Sequence, residues 1–85
     1  MAKIFHVDIL TPGKAVYTGE VSSLIVPAEL GYLGILANHA PLITNLAPGK
    51  IIIKESSGKQ SAIQSKGRGL LEVFKNTATL LMDNI

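Results

Sequence analysis

From residue 3 to residue 10 apolar and polar side chains alternate, with Phe5, Val7 and Ile9 on one side and His6 and Asp8 on the other. A period of two predicts a half-buried strand. Thr11-Pro12-Gly13-Lys14 breaks it with turn chemistry. Ala15-Val16-Tyr17 reads as a brief strand and Gly19-Glu20 as a turn. Residues 21–26 form the next strand, which Pro27 ends because proline cannot donate to a ladder. Residues 31–36 and 41–46 are two more short strands, parted by the turn-like Ala37-Asn38-His39. Pro48-Gly49 is a strong turn signal. It leads into residues 50–54, whose centre Ile51-Ile52-Ile53 is β-branched throughout and favours strand over helix. Ser56-Ser57-Gly58-Lys59 makes a polar hairpin tip, and residues 60–65 return from it. Gly67-Arg68-Gly69 precedes a strand over 70–74, and Lys75-Asn76 turns into residues 77–82.

Eight to ten short strands at a spacing of about 8–12 residues, each closed by turn residues, predict a sandwich or barrel. The best helix candidate, residues 70–82, consists mostly of β-formers and carries an Asn-Thr break in its middle. The expected class is all-β, as one β-sandwich domain over residues 1–85 without repeat, linker or C-terminal helical domain.

Composition narrows the function. Apolar residues make up 47% of the 85-residue chain, enough for one small core near the lower size limit of unaided folding. Aromatics are only 5% with no Trp, so the core is aliphatic and stacking platforms are scarce. Eight Lys/Arg against six Asp/Glu give +2, with the cations scattered. No basic stripe interleaved with aromatics is present, and no nucleic-acid partner is expected. Cysteine is absent, which excludes disulfides, thiolate metal sites and cysteine nucleophiles. The opening MAKIFHVDIL does not read as a signal peptide. No apolar run approaches the roughly 20 residues of a membrane span, so membrane association is expected only through a partner.

The chain offers little for catalysis. His6 and Asp8 share a strand face at i, i+2, a spacing that can ligate a metal, but a structural zinc wants four ligands; an exposed polar face explains both. His39 is of a residue type that serves as a general base, yet Asn38, Ala40 and Pro41 give it neither nucleophile nor substrate group. The carboxylates are dispersed, with no spacing that argues for a glycosidase pair. Neither phosphate-binding glycine pattern occurs. Gly67-Arg68-Gly69 precedes a strand, and so lacks the helix dipole that binds phosphate. No catalytic, cofactor or metal residues are expected. From the residues alone the chain is an all-β interaction domain, the alternative being a free-standing β-sandwich that binds a small ligand or carbohydrate.

One stretch stands apart. Gly31, Leu33, Gly34 and Ile35 are followed by a short turn, then by His39-Ala40-Pro41-Leu42 and Pro48-Gly49. Two glycines three apart in a strand mark a bulge or a close backbone approach. This run resembles the epsilon subunit of the F-type ATP synthase, called delta in mitochondria. Val7-Asp8-Ile9-Leu10-Thr11-Pro12 and Val16-Tyr17-Thr18-Gly19-Glu20-Val21 look like that family's N-terminal strands. Gly69-Leu70-Leu71-Glu72-Val73 and Thr79-Leu80-Leu81-Met82-Asp83 resemble its closing elements. The resemblance runs in order over essentially the whole chain.

It implies a sandwich of about ten strands in two five-stranded sheets, acting as a non-catalytic central-stalk (rotor) subunit. Such a subunit binds the gamma subunit, rests on the c-subunit ring and helps couple ion-driven rotation to ATP synthesis. The implied location is peripheral, on the cytoplasmic face of the inner (plasma) membrane, held through the complex. The implied gamma contact is His39, Ala40, Pro41, Leu42, Ile43 and Thr44; the implied c-ring contact is Glu29, Leu30, Gly31, Tyr32 and Leu33. The first set is mostly apolar, as suits an interface core, while the second carries Glu29 and Tyr32 for polar loops. Family members commonly continue into a pair of C-terminal helices. Without them, neither a nucleotide site nor inhibition by helix insertion is expected. Two local departures are Arg68, where the family often has glycine, and Tyr32, at an often acidic or polar position.

Overall fold

The computed structural model describes residues 3–85; Met1 and Ala2, with which the one-domain reading begins, lie outside the described residues. The elements are β1 (Phe5–Thr11), β2 (Lys14–Ala28), β3 (Gly31–Leu36) and β4 (Leu42–Leu46), followed by β5 (Gly49–Glu55), β6 (Gln60–Ser65), β7 (Gly69–Phe74) and β8 (Thr77–Met82). The all-β expectation holds. The strand count of the resemblance does not: among the described residues eight strands stand where it implied about ten.

The difference lies mainly in β2. Gly19 and Glu20 were expected to turn, but they stay extended opposite Val7 and His6. Pro27 was expected to end the strand, but it lies inside β2 opposite Tyr32. The pairing of β2 with β5 stops at Ile25, and on that side the Pro27 carbonyl accepts from the Ala47 N–H at 2.8 Å, so the ladder asks no N–H of the proline there. The result is one strand of 15 residues that serves both layers. Its first half pairs with β1, and beyond the register shift between Val21 and Ser23 it runs between β3 and β5. One layer is therefore the first half of β2, then β1, β8, β7 and β4; the other is β3, the second half of β2, β5 and β6. Within the first layer β1 and β8 run parallel and the other pairs antiparallel.

The core lies between the layers and follows the period of two. Phe5, Val7, Ile9, Leu71, Val73, Ala78, Leu80 and Met82 enter it from the first layer. Leu24, Val26, Ile35, Ile51 and Ile53 meet them from the second. Each fully buried large aliphatic side chain stabilises the fold by about 1.5–3 kcal/mol, which lets so small a chain fold without a disulfide. The buried polar side chain, Ser65, keeps its hydroxyl 3.3 Å from the carbonyls of both Gly67 and Asn84. Lys75 and Asn76, with φ of 49° and 60°, form the two-residue turn whose twist matches a β-hairpin.

Candidate docking face

Glu29 and Leu30 alone connect β2 to β3, and Gly31 completes the reversal at φ +133°. That conformation suits glycine and few other residues. The turn points Leu30 wholly into solvent, at 104% relative exposure. The backbone N–H of Glu29 donates to the carbonyl of Asn45 at 3.3 Å, which ties the turn to β4. The Glu29 carboxylate lies 3.9 Å from the Arg68 guanidinium. Both are exposed, so this pair adds little stability. Tyr32 is also exposed, and its hydroxyl accepts a hydrogen bond from the Lys50 backbone N–H at 3.2 Å, anchoring the ring across β5. Leu33 turns inward against the core. Gly34 has nothing within 4 Å of where a Cβ would stand.

The second predicted set divides by alternation. His39 is half-buried, with Nδ1 donating to the carbonyl of Ala40 at 2.7 Å. Ala40 and Pro41 are exposed and precede β4. Leu42 packs against the core, Thr44 is half-buried, and Ile43 stands out at 68% exposure. The segment is therefore not an apolar surface along its length. Ile43 is its single large exposed apolar side chain.

Its companions come from other strands. Asn45, Leu70, Leu81 and Leu10 form one cross-strand row on the outer face of the first layer. Ile43, Glu72, Thr79 and Asp8 form the next. Leu70, Leu81 and Phe74 are all exposed, so Ile43 sits diagonally from Leu70 in an apolar patch on an outer face that also carries Glu72 and Asp8. Sequence reading missed Leu70 and Leu81 as surface residues. The signal was present, because each alternates with a core residue, Leu71 and Leu80. In an apolar doublet such as Leu70-Leu71, however, period alone does not say which member faces out.

The two predicted sets meet. Ala28, Glu29, Leu30, Gly31, Tyr32 and Leu33 line one wall of an open groove of about 590 Å³, and Ile43, Thr44, Asn45 and Leu70 line the other. The groove runs along the side of the sandwich between β3 and β4. Its walls include residues as exposed as Leu30, so it can seat a protruding loop or side chain but does not enclose a small molecule.

At the far end of the same outer face the polar side of β1 meets β2. His6 Nδ1 lies 2.6 Å from Glu20 Oε2 and Nε2 lies 3.0 Å from Asp8 Oδ1. Thr18 donates its hydroxyl to Asp8 at 2.7 Å. The hydrogen bond to Glu20, then that to Asp8 and the charges of both, outweigh partial desolvation and raise the His6 pKa above its ordinary 6.5. The Thr18 hydrogen bond, followed by His6, holds Asp8 below its ordinary 3.8. Among the described residues no group of three or more His, Asp or Glu is arranged to hold a metal ion.

The family model for the ATP synthase delta/epsilon chain β-sandwich domain matches residues 4–85. The chain belongs to that family. Among curated relatives, the ATP synthase epsilon chain of Dichelobacter nodosus is 40% identical over 83 residues, covering 98% of this chain and 57% of the relative. That of Nitrosococcus oceani is also 40% identical, over 98% of this chain and 59% of its own length. That of Latilactobacillus sakei is 43% identical, over 95% and 57%. The family member described here thus spans under three-fifths of these relatives. In fold it is similar to a chain of the Euglena gracilis mitochondrial ATP synthase, in a structure of OSCP, F1 and c-ring, with a TM-score of 0.86, 18% identity and coverage of 100% of this chain and 54% of that one. A chain from the central stalk and c-ring of the Tetrahymena thermophila enzyme gives 0.74, 20%, 92% and 62%.

Proposed function

We propose that this family member is a non-catalytic rotor subunit of an F-type ATP synthase. In this reading its first layer docks on the gamma subunit and its β2–β3 turn rests on the polar loops of the c ring, peripheral to the cytoplasmic face of the membrane. The observation that carries it is the exposed apolar outer face around Ile43, Leu70 and Leu81 on a domain that matches the family from residue 4 to residue 85. Such a face costs free energy in water and marks an interaction surface. The groove that joins the two predicted sets supports a partner assembly that touches both together. His39, Ala40 and Pro41 form the approach to β4 on the gamma side, with Ile43 as the apolar anchor. Glu29, Leu30 and Tyr32 supply the mixed polar and apolar contact suited to loops. By coupling the two partners, the subunit helps transmit ion-driven rotation to ATP synthesis.

Co-expression with a cognate gamma subunit tests the proposal. A stable complex recovered on a tag carried by either chain supports it. Failure to co-purify, with both chains folded, would overturn it.

A further inference from the structure

The cluster at the amino-terminal end of the first layer has a consequence independent of any partner. A neutral imidazole carries one N–H, so it can donate from one ring nitrogen only, and an ionised carboxylate only accepts. Yet Nδ1 lies 2.6 Å from Glu20 Oε2 while Nε2 lies 3.0 Å from Asp8 Oδ1. Both carboxylate contacts are satisfied only when both nitrogens carry protons; the Thr18 hydroxyl, 3.3 Å from Nε2, does not supply the missing proton, because its own hydrogen is donated to Asp8. A neutral ring would turn a lone pair toward one carboxylate. We infer that His6 is a proton-dependent clasp across the β1–β2 ladder, joining Glu20 to Asp8 as the imidazolium and releasing one of them when the proton leaves.

His6 stands opposite Glu20, and Asp8 opposite Thr18, on β2. On the far side of β2 the β5–β6 tip approaches, with the Ser56 N–H donating to the Glu20 carbonyl at 3.2 Å, Glu55 opposite Val21 and Lys54 opposite Ser23. On the other side of β1, β8 presents Thr77 and Thr79, both uncharged. Glu72 of β7 lies one strand further, opposite Thr79. The nearest turn contributes Lys75, whose ammonium sits 5.5 Å from the centre of the Phe74 ring. No cation other than His6 stands between Asp8 and Glu20 in these rows. Deprotonation therefore leaves Asp8 and Glu20 on the two sides of the ring without a bridging charge.

The sign of the linkage is fixed on both sides. The folded-state His6 value is raised, so its stabilisation is fully present below the unfolded value near 6.5 and is lost as pH rises through the folded one. The folded-state Asp8 value is depressed, so its contribution is present above its unfolded value and lost as pH falls through the folded one. The clasp is closed between the two. With side-chain exposures of 37% for His6 and 51% for Glu20, it is also screened by salt.

The test is nitrogen-resolved NMR of the His6 ring across pH, with thermal melts, on the full chain and its Glu20→Gln and His6→Gln variants. The latter assigns the signal. The expected result is a ring doubly protonated below a midpoint that lies above the ordinary 6.5, with that midpoint falling in Glu20→Gln. The melting temperature should step down as pH passes that midpoint, a step absent in His6→Gln. Any one of three results would overturn the clasp: a midpoint at or below 6.5, a midpoint unmoved by Glu20→Gln, or a melting step that persists in His6→Gln. Amide spectra showing the variants folded keep the comparison decisive.

Discussion

At Gly49 the chain passes so close to β2 that a Cβ would stand 2.6 Å from the Cβ of Pro27 and 3.0 Å from the Tyr32 hydroxyl. Pro27 is buried and cannot yield, so Gly49→Ala should lower stability by roughly 1–3 kcal/mol, read as a shifted urea midpoint. At Gly34, where the Cβ position is open, Gly34→Ala should leave stability unchanged or raise it by a few tenths of a kcal/mol, read from the same midpoint. The sequence singled out Gly31 and Gly34 as a pair, and the structure separates them. Gly31 is required by its turn conformation; Gly34 is required by nothing within the described chain. Partner choice was the least legible feature at this scale. Arg68 meets Glu29, and His6 meets Glu20 as well as its strand neighbour Asp8. These pairs depend on which strands lie side by side and in what register, which no local pattern encodes.

Among the elements, β3, β6 and β8 begin and end where alternation and turn residues placed them. Their boundaries rest on strong local signals, such as the Ser-Ser-Gly-Lys tip before β6. The failure at β2 has a physical cause too. Glycine and glutamate are weak strand formers, but opposite Val7 and His6 their backbone is held by the ladder, and tertiary pairing overrides propensity. The β7–β8 hairpin gives a prediction at this scale. Asn76 holds its turn at φ 60°, while its side chain accepts from the Asn38 N–H at 2.8 Å and donates to the Ile4 carbonyl at 3.0 Å. It thereby pins the β3–β4 link and the start of β1 to one turn. Asn76→Gly keeps the turn geometry and loses both bonds, so it should destabilise by about 1–2 kcal/mol. Asn76→Ala also strains the turn and should cost more. Equal stability of the two variants would assign the effect to the side-chain bonds alone.

Over the whole molecule, the all-β class and the family could be read from the sequence, whereas the shape of the docking face could not. The resemblance pointed to a contiguous segment, residues 39–44. The pleat divides it, and the exposed surface is assembled from β4, β7 and β8, with only Ile43 contributed by that segment as a large apolar group. The outer face of the second layer carries Ile25, opposite Gly34 on one side and Ile52 on the other, with Lys50 and Lys54 flanking on β5. It supplies a control, because Ile25 is also a large apolar residue on an outer face, at 37% exposure. The central claim, that the first layer's outer face docks on the gamma subunit, is tested most directly by measuring the affinity of a cognate gamma subunit for the wild-type chain, Ile43→Asp and Ile25→Asp, each verified as folded by its melting transition. The account predicts at least about a tenfold loss for Ile43→Asp, about 1.4 kcal/mol, and an unchanged affinity for Ile25→Asp. Wild-type affinity in Ile43→Asp, or the loss appearing in Ile25→Asp instead, would contradict it.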